Sequence, residues 1–173
     1  MDKKTTALAF VILLVFFFQT ISLLHYHSLT NDEPAHTAAG LLYWQTGLFS
    51  GGVSNPPLLQ LSFALPYALS LADYSLYSNV PPIFGRYVNL LFSFFLLLIM
   101  ASFAYKRYGP QGALLASFLY VTSPSLIAHS TITTTDIGVT LFSLCTFFAM
   151  SWWQKQNSPW AIVLPAFLMA LAM

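Results

Sequence analysis

Four stretches of this chain run for 16 to 18 residues without one charged side chain: Ala7–Leu24, Val88–Tyr105, Ala113–Ala128 and Ile137–Trp153. An α-helix rises 1.5 Å per residue, so about 20 residues cross a hydrocarbon core of roughly 30 Å. Each stretch comes close to that length. A fifth begins near Trp160 and is still apolar at Met173, so the chain reads as the N-terminal portion of a longer protein. Only 6% of the 173 residues are charged and 57% are hydrophobic, with a mean hydropathy of +0.71. Soluble domains carry about 25% charged residues, so lipid must be the main solvent. The expected fold is all-α: a single multi-pass transmembrane helical bundle over residues 1–173, with spans near 7–24, 85–105, 112–128, 137–153 and 159–173.

The first span resembles a secretory signal, because Lys3 and Lys4 precede it. Its apolar run is longer than a usual signal core, and no small-residue cleavage site follows it. It therefore reads as an uncleaved anchor. Cys145 is the single cysteine and lies inside an apolar run, which excludes an internal disulfide. The formal charge of +1, with no basic cluster, points to no nucleic-acid partner.

The run Leu58–Ala72 is ambiguous, having 15 residues interrupted by Gln60, Ser62, Pro66 and Ser70. If it does not cross, Lys3, Lys4, Lys106, Arg107 and Lys155 share one side. If it crosses, they split. Short loops rich in Lys and Arg stay cytoplasmic, so it is expected to lie along the outer interface as a juxtamembrane helix. The same parity puts Asp32, Glu33, Asp73 and Asp136 outside, with Arg86 the one basic residue there. Aromatic residues collect at both boundaries, as interfaces favour.

The loop 25–81 is the one long extramembrane segment. Asn31-Asp32-Glu33-Pro34-Ala35-His36 has the form of a helix start: Asn31 or Asp32 can cap, and Pro34 suits the first turn. That helix should stop at Gly47. Asp32 and His36 are four apart and Glu33 and His36 three apart, so these side chains can share one face. The plain reading is a capped surface helix; two carboxylates beside a histidine after a span also suit chemistry. Asn55-Pro56-Pro57-Leu58 reads as a rigid turn into the juxtamembrane helix. Arg86 either snorkels to the headgroups or pairs with a lipid phosphate. Asp136, after Thr133-Thr134-Thr135, is either a cap or part of the same interfacial cavity as Asp32, Glu33 and Arg86.

In this order, the residues resemble the C-class membrane glycosyltransferases that use polyprenyl-phosphate-linked sugars, such as protein O-mannosyltransferases and lipid A aminoarabinose transferases. The resemblance rests on Asp32-Glu33-Pro34-Ala35-His36 after a first span, then Thr46-Gly47-Leu48-Phe49, Pro56-Pro57-Leu58, Gly85-Arg86 and Thr134-Thr135-Asp136. It covers nearly the whole chain, but only the front of such an enzyme. One departure is Asn55, where many relatives have His.

The resemblance implies an inverting transfer of sugar from a polyprenyl-phosphate carrier to an acceptor hydroxyl or amine on a protein, lipid or glycan. Asp32 would be the base, and Glu33 and Asp136 would orient acceptor or sugar hydroxyls. Arg86 would meet the departing phosphate, with His36 and Asn55 as substrate-binding positions. No residue is assigned as a metal ligand, and a divalent metal is the one cofactor left open. A bacterial plasma membrane with the N-terminus in the cytoplasm is the expected setting. The competing readings are a transporter or flippase component, which calls for ionisable residues in mid-span, and a non-catalytic truncated remnant.

Overall fold

The computed structural model describes residues 3–48, 55–71, 82–156 and 158–173. Phe49, Ala72 and Asp73, all used above, lie outside the described residues. The elements are helices α1 (Lys3–Tyr26), α2 (Asp32–Thr46), α3 (Pro57–Ala68), α4 (Ile83–Thr122), α5 (Pro124–Ser130), α6 (Asp136–Trp153) and α7 (Val163–Ala172), with a 3-10 turn at Pro159–Ile162 leading into α7. Among the described residues the fold is all-helical. Helices α1, α4 and α6 are long and apolar enough to cross a membrane.

Large apolar side chains stay exposed along these helices: Phe10, Leu14 and Phe18 on α1, Leu91 and Phe95 on α4, Phe147 on α6. Water would penalise such continuous faces, and lipid does not. The inner faces pack Ile12, Phe16 and Leu24 of α1 against Leu90, Leu96, Leu97 and Tyr120 of α4 and Ile137 and Leu141 of α6.

At 40 residues, α4 is far longer than one crossing requires. Gly109 divides it into two arms with φ 71° and ψ −165°, a combination open essentially to glycine alone. Pro110 follows and cannot continue the first arm's hydrogen bonding. The chain reverses here. Tyr120 donates to the Ser93 carbonyl at 3.1 Å although 27 residues separate them, and a straight helix would hold them about 40 Å apart. The second arm therefore runs back along the first.

Polar side chains within the apolar spans fasten the bundle. Gln19 Nε2 donates to the Val121 carbonyl at 2.8 Å. The Ser93 hydroxyl meets Tyr120 at 2.9 Å and Ser130 at 2.6 Å. Asn89 Nδ2 donates to the carbonyls of His129 and Ile132 at 2.6 and 2.7 Å. In lipid such bonds hold helices together where apolar contact discriminates little.

The helices α2 and α3 form a separate hairpin at one end. Helix α3 has 12 residues, about 18 Å of rise, which is too short to cross. Helix α2 stops at Gly47, whose N–H reaches the Tyr43 carbonyl at 2.8 Å. Its start departs from expectation. Asn31 takes helical angles and makes no side-chain cap; instead the Glu33 carboxylate reaches back to the Thr30 N–H at 3.0 Å. The two helices touch through Gly40, where an added Cβ would lie 2.0 Å from the Gln60 carbonyl oxygen. Trp44 Nε1 also donates to the Leu61 carbonyl at 3.0 Å.

The final helical stretch, from Pro159 to Ala172, has 14 residues and rises about 21 Å if regular, which is shorter than a full crossing. Replacing Gly109 with Ala should destabilise the protein by about 1–3 kcal/mol, because the new side chain cannot adopt those angles without strain. Thermal unfolding in detergent measures it, and because an added Cβ at 109 would meet no atom within 4 Å, any loss reports the backbone angles rather than a clash.

Candidate functional site at the acidic end

The chain order places every described acidic residue at one end of the bundle. Tyr26 ends α1 there, α4 and α6 begin there, and α2 and α3 lie across it. At the opposite end, Phe103 stacks on Phe148 with centroids 4.7 Å apart. This contact brings the tail of α6 and Lys155 beside the α4 turn with Lys106 and Arg107, near the Lys3 end of α1.

At the acidic end, Glu33 and Arg86 are both fully buried and face each other through two parallel bonds. Arg86 Nε donates to Glu33 Oε1 and Arg86 Nη2 to Oε2, each at 2.7 Å. The remaining guanidinium donors reach backbone carbonyls: Nη1 to Leu24 at 2.7 Å and His27 at 2.9 Å, Nη2 to Ser28 at 2.9 Å. An arginine has five N–H groups, and all five are used. Glu33 is equally complete, accepting also from the backbone N–H groups of Thr30 at 3.0 Å and Thr133 at 2.8 Å. Burial by itself raises the Glu33 pKa, but the Arg86 bonds, those two backbone donors and the guanidinium charge outweigh it. The net shift is downward.

This geometry corrects the expectation for both residues. Arg86 neither snorkels nor offers a free N–H to a lipid phosphate, and Glu33 has no lone pair left for a substrate hydroxyl. The pair instead joins the end of α1, the start of α2, the start of α4 and the 131–135 segment.

Asp32 behaves differently although it is the next residue. Successive residues on a helix point about 100° apart, so burying Glu33 turns Asp32 outward. Asp32, Ala35, His36, Asn55 and Gln60 line a polar cavity of about 230 Å³ between α2 and α3. Three of the residues selected from the sequence thus share one cavity. His36 is 8% exposed, and its Nδ1 has no hydrogen-bond partner. Burial lowers the His36 pKa, and the charges of Asp32, Asp136 and Glu33 only partly oppose that. The imidazole is therefore neutral near pH 7, able to exchange one hydrogen bond with a ligand.

Asp136 opens α6 and is exposed, with His129 Nε2 3.8 Å from its carboxylate. It does not line the cavity, but its charge reaches His36. Among the described residues no three His, Cys, Asp or Glu side chains are grouped as a metal ion would require.

The chain matches no protein-family model, no curated protein and no solved structure.

Two site residues escaped the sequence reading. Gln60, 2% exposed, registered only as a polar interruption in an apolar run; its helical neighbours Leu59 and Phe63 are buried, which is the signal that its side chain also points inward. His129 gave no signal, because its approach to Asp136 depends on the turn between α5 and α6.

Glu33→Gln leaves a buried guanidinium without its counter-charge and should destabilise the fold by about 3–5 kcal/mol. Arg86→Lys should also destabilise it, since an ammonium brings three donors in place of five. Both effects are read from the unfolding midpoint in detergent. His36 supplies a pH signature. Its folded form binds a proton less readily than the unfolded chain, whose value is near 6.5. Stability should therefore be complete above about pH 6.5 and decline as the pH falls below it. His36→Asn should flatten that part of the unfolding-midpoint profile between pH 7.5 and 5.5.

Proposed function

We propose that this chain carries the acceptor side of a membrane glycosyltransferase, which moves a sugar from a polyprenyl-phosphate carrier to a hydroxyl or amine. The observation that carries this reading is the cavity holding Asp32, His36, Asn55 and Gln60 at the acidic end of an apolar bundle. One exposed carboxylate there can take a proton. Beside it stand a neutral imidazole with an unused nitrogen and two carboxamides, the groups that bind neutral hydroxyl-rich molecules by hydrogen bonding.

In the transfer, the acceptor oxygen or nitrogen bonds to the anomeric carbon while the bond from that carbon to the carrier phosphate breaks. The electron pair leaves with the phosphate, and the acceptor proton passes to Asp32 as general base. A phosphate leaves as a stable anion and requires no proton donor. Arg86 supports the reaction by holding the start of α2, so that Asp32 and His36 keep their positions. Asp136 contributes negative potential at the cavity edge rather than direct contact.

The setting follows from charge. Lys3, Lys4, Lys106, Arg107 and Lys155 at the basic end support a cytoplasmic assignment of that end by the bias of Lys and Arg, with the cavity on the opposite face; a bacterial plasma membrane is part of the same proposal. Crossings would then be α1, the two arms of α4 with α5 extending the second, and α6. Carrier lipid can remain in the bilayer while its polar head reaches the cavity. The interiors of the described spans α1 and α6 carry no charged side chain of the kind an ion or proton relay uses, which favours the transferase reading over transport.

Membranes containing the full-length protein, supplied with polyprenyl-phosphate sugars and a hydroxyl-bearing acceptor, should release polyprenyl phosphate. Asp32→Asn should reduce that release at least about a hundredfold, the usual range for loss of a general base, with insertion and stability unchanged. Full activity in Asp32→Asn removes Asp32 as base; no turnover of any polyprenyl-phosphate sugar by the wild-type protein overturns the reading.

A further inference from the structure

The basic end holds a second cavity, remote from the one above and apolar in character. It is a groove of about 390 Å³ between α1 and the two arms of α4, walled by Ile12, Leu13, Leu97, Ala101 and Leu114, with Lys106 at one end. From Leu97 to Lys106 the helix rises about 14 Å. That is half of a roughly 30 Å hydrocarbon core, the depth of one leaflet. Lys106 is exposed and stands at the turn, where headgroups would lie. Its neighbour Arg107 instead turns onto the Phe103 ring, 5.9 Å from its centroid, so Lys106 is the cation that the groove itself presents.

We propose that this groove binds one anionic phospholipid of the leaflet at the basic end, an acyl chain filling the apolar length and the headgroup phosphate meeting Lys106. Three features single out this occupant. The groove is one leaflet deep, so a chain entering from headgroup level fits its length. Its walls are nearly all hydrocarbon, so the part buried in it must be apolar. Its one charge sits at the headgroup end and is positive, so the polar part must be anionic. The binding does not depend on the proposed transferase activity.

The test is native mass spectrometry of the purified full-length protein in detergent, titrated with phosphatidylglycerol and with phosphatidylcholine of identical acyl chains. The wild-type protein should retain one lipid and prefer phosphatidylglycerol by about fivefold, the effect of one lysine near an anionic headgroup. Lys106→Gln should bring the two affinities together. Lys155→Gln, at the same end but outside the groove, should leave the preference intact. Ala101→Trp should fill the groove and remove the adduct with either lipid. Lys106→Gln is a surface change that keeps the fold, so the charge comparison stands whatever Ala101→Trp does to stability. Preference retained in Lys106→Gln overturns the proposal. So does an adduct that survives Ala101→Trp in folded protein, or a dimer whose interface covers the groove and binds no lipid.

Discussion

The head of this bundle depends on one buried ion pair. Taking a carboxylate and a guanidinium out of water costs several kcal/mol per ion, and their attraction repays that only when every remaining donor and acceptor is met. Glu33 and Arg86 satisfy that condition by drawing in five backbone groups from two stretches of chain: the carbonyls of Leu24, His27 and Ser28 with the N–H of Thr30, and the N–H of Thr133. The requirement for saturation is what dictates the local architecture. The end of α1 and the turn after it have to aim three carbonyls at the guanidinium, and the loop before α6 has to present an N–H to the carboxylate.

That arrangement also explains how adjacent acidic residues take opposite roles. Helical geometry separates their directions, so fixing Glu33 in the interior orients Asp32 toward the cavity without any contact of its own. His36, one turn further along, is held under the same roof. Its desolvation keeps it uncharged beside carboxylates that would otherwise favour the imidazolium. The polar site is thus a consequence of the ion pair beneath it.

Much of the scaffold was legible in the residues. Charge-free runs marked α1 and α6 to within a few residues, Gly47 marked the end of α2, and the polar breaks after Leu58 marked a helix too short to cross. These signals are local: periodicity, length and a glycine at a helix end. What escaped was long-range. The partner of Arg86 lies 53 positions away, and no spacing rule says which of two neighbouring carboxylates will be buried against it. Asn31 looked like a cap because its residue type favours capping, but it takes helical angles and makes no cap bond, while the Glu33 carboxylate ties the start of α2 to the Thr30 N–H before it. Spacing could put Asp32 and His36 on one face, but only the packing of α2 on α3 brings Asn55 and Gln60 to the same cavity.

The contact between Gly40 and Gln60 sets the size of what that cavity can admit. With backbone against backbone there, the two helices have no slack to slide apart, and the wall carrying Gln60 is rigid. Room for a bulkier guest must therefore come from the other side, where Ala35 and Asn55 border the space. Homologous chains that handle larger molecules should differ at those two positions while keeping a residue without a side chain at 40.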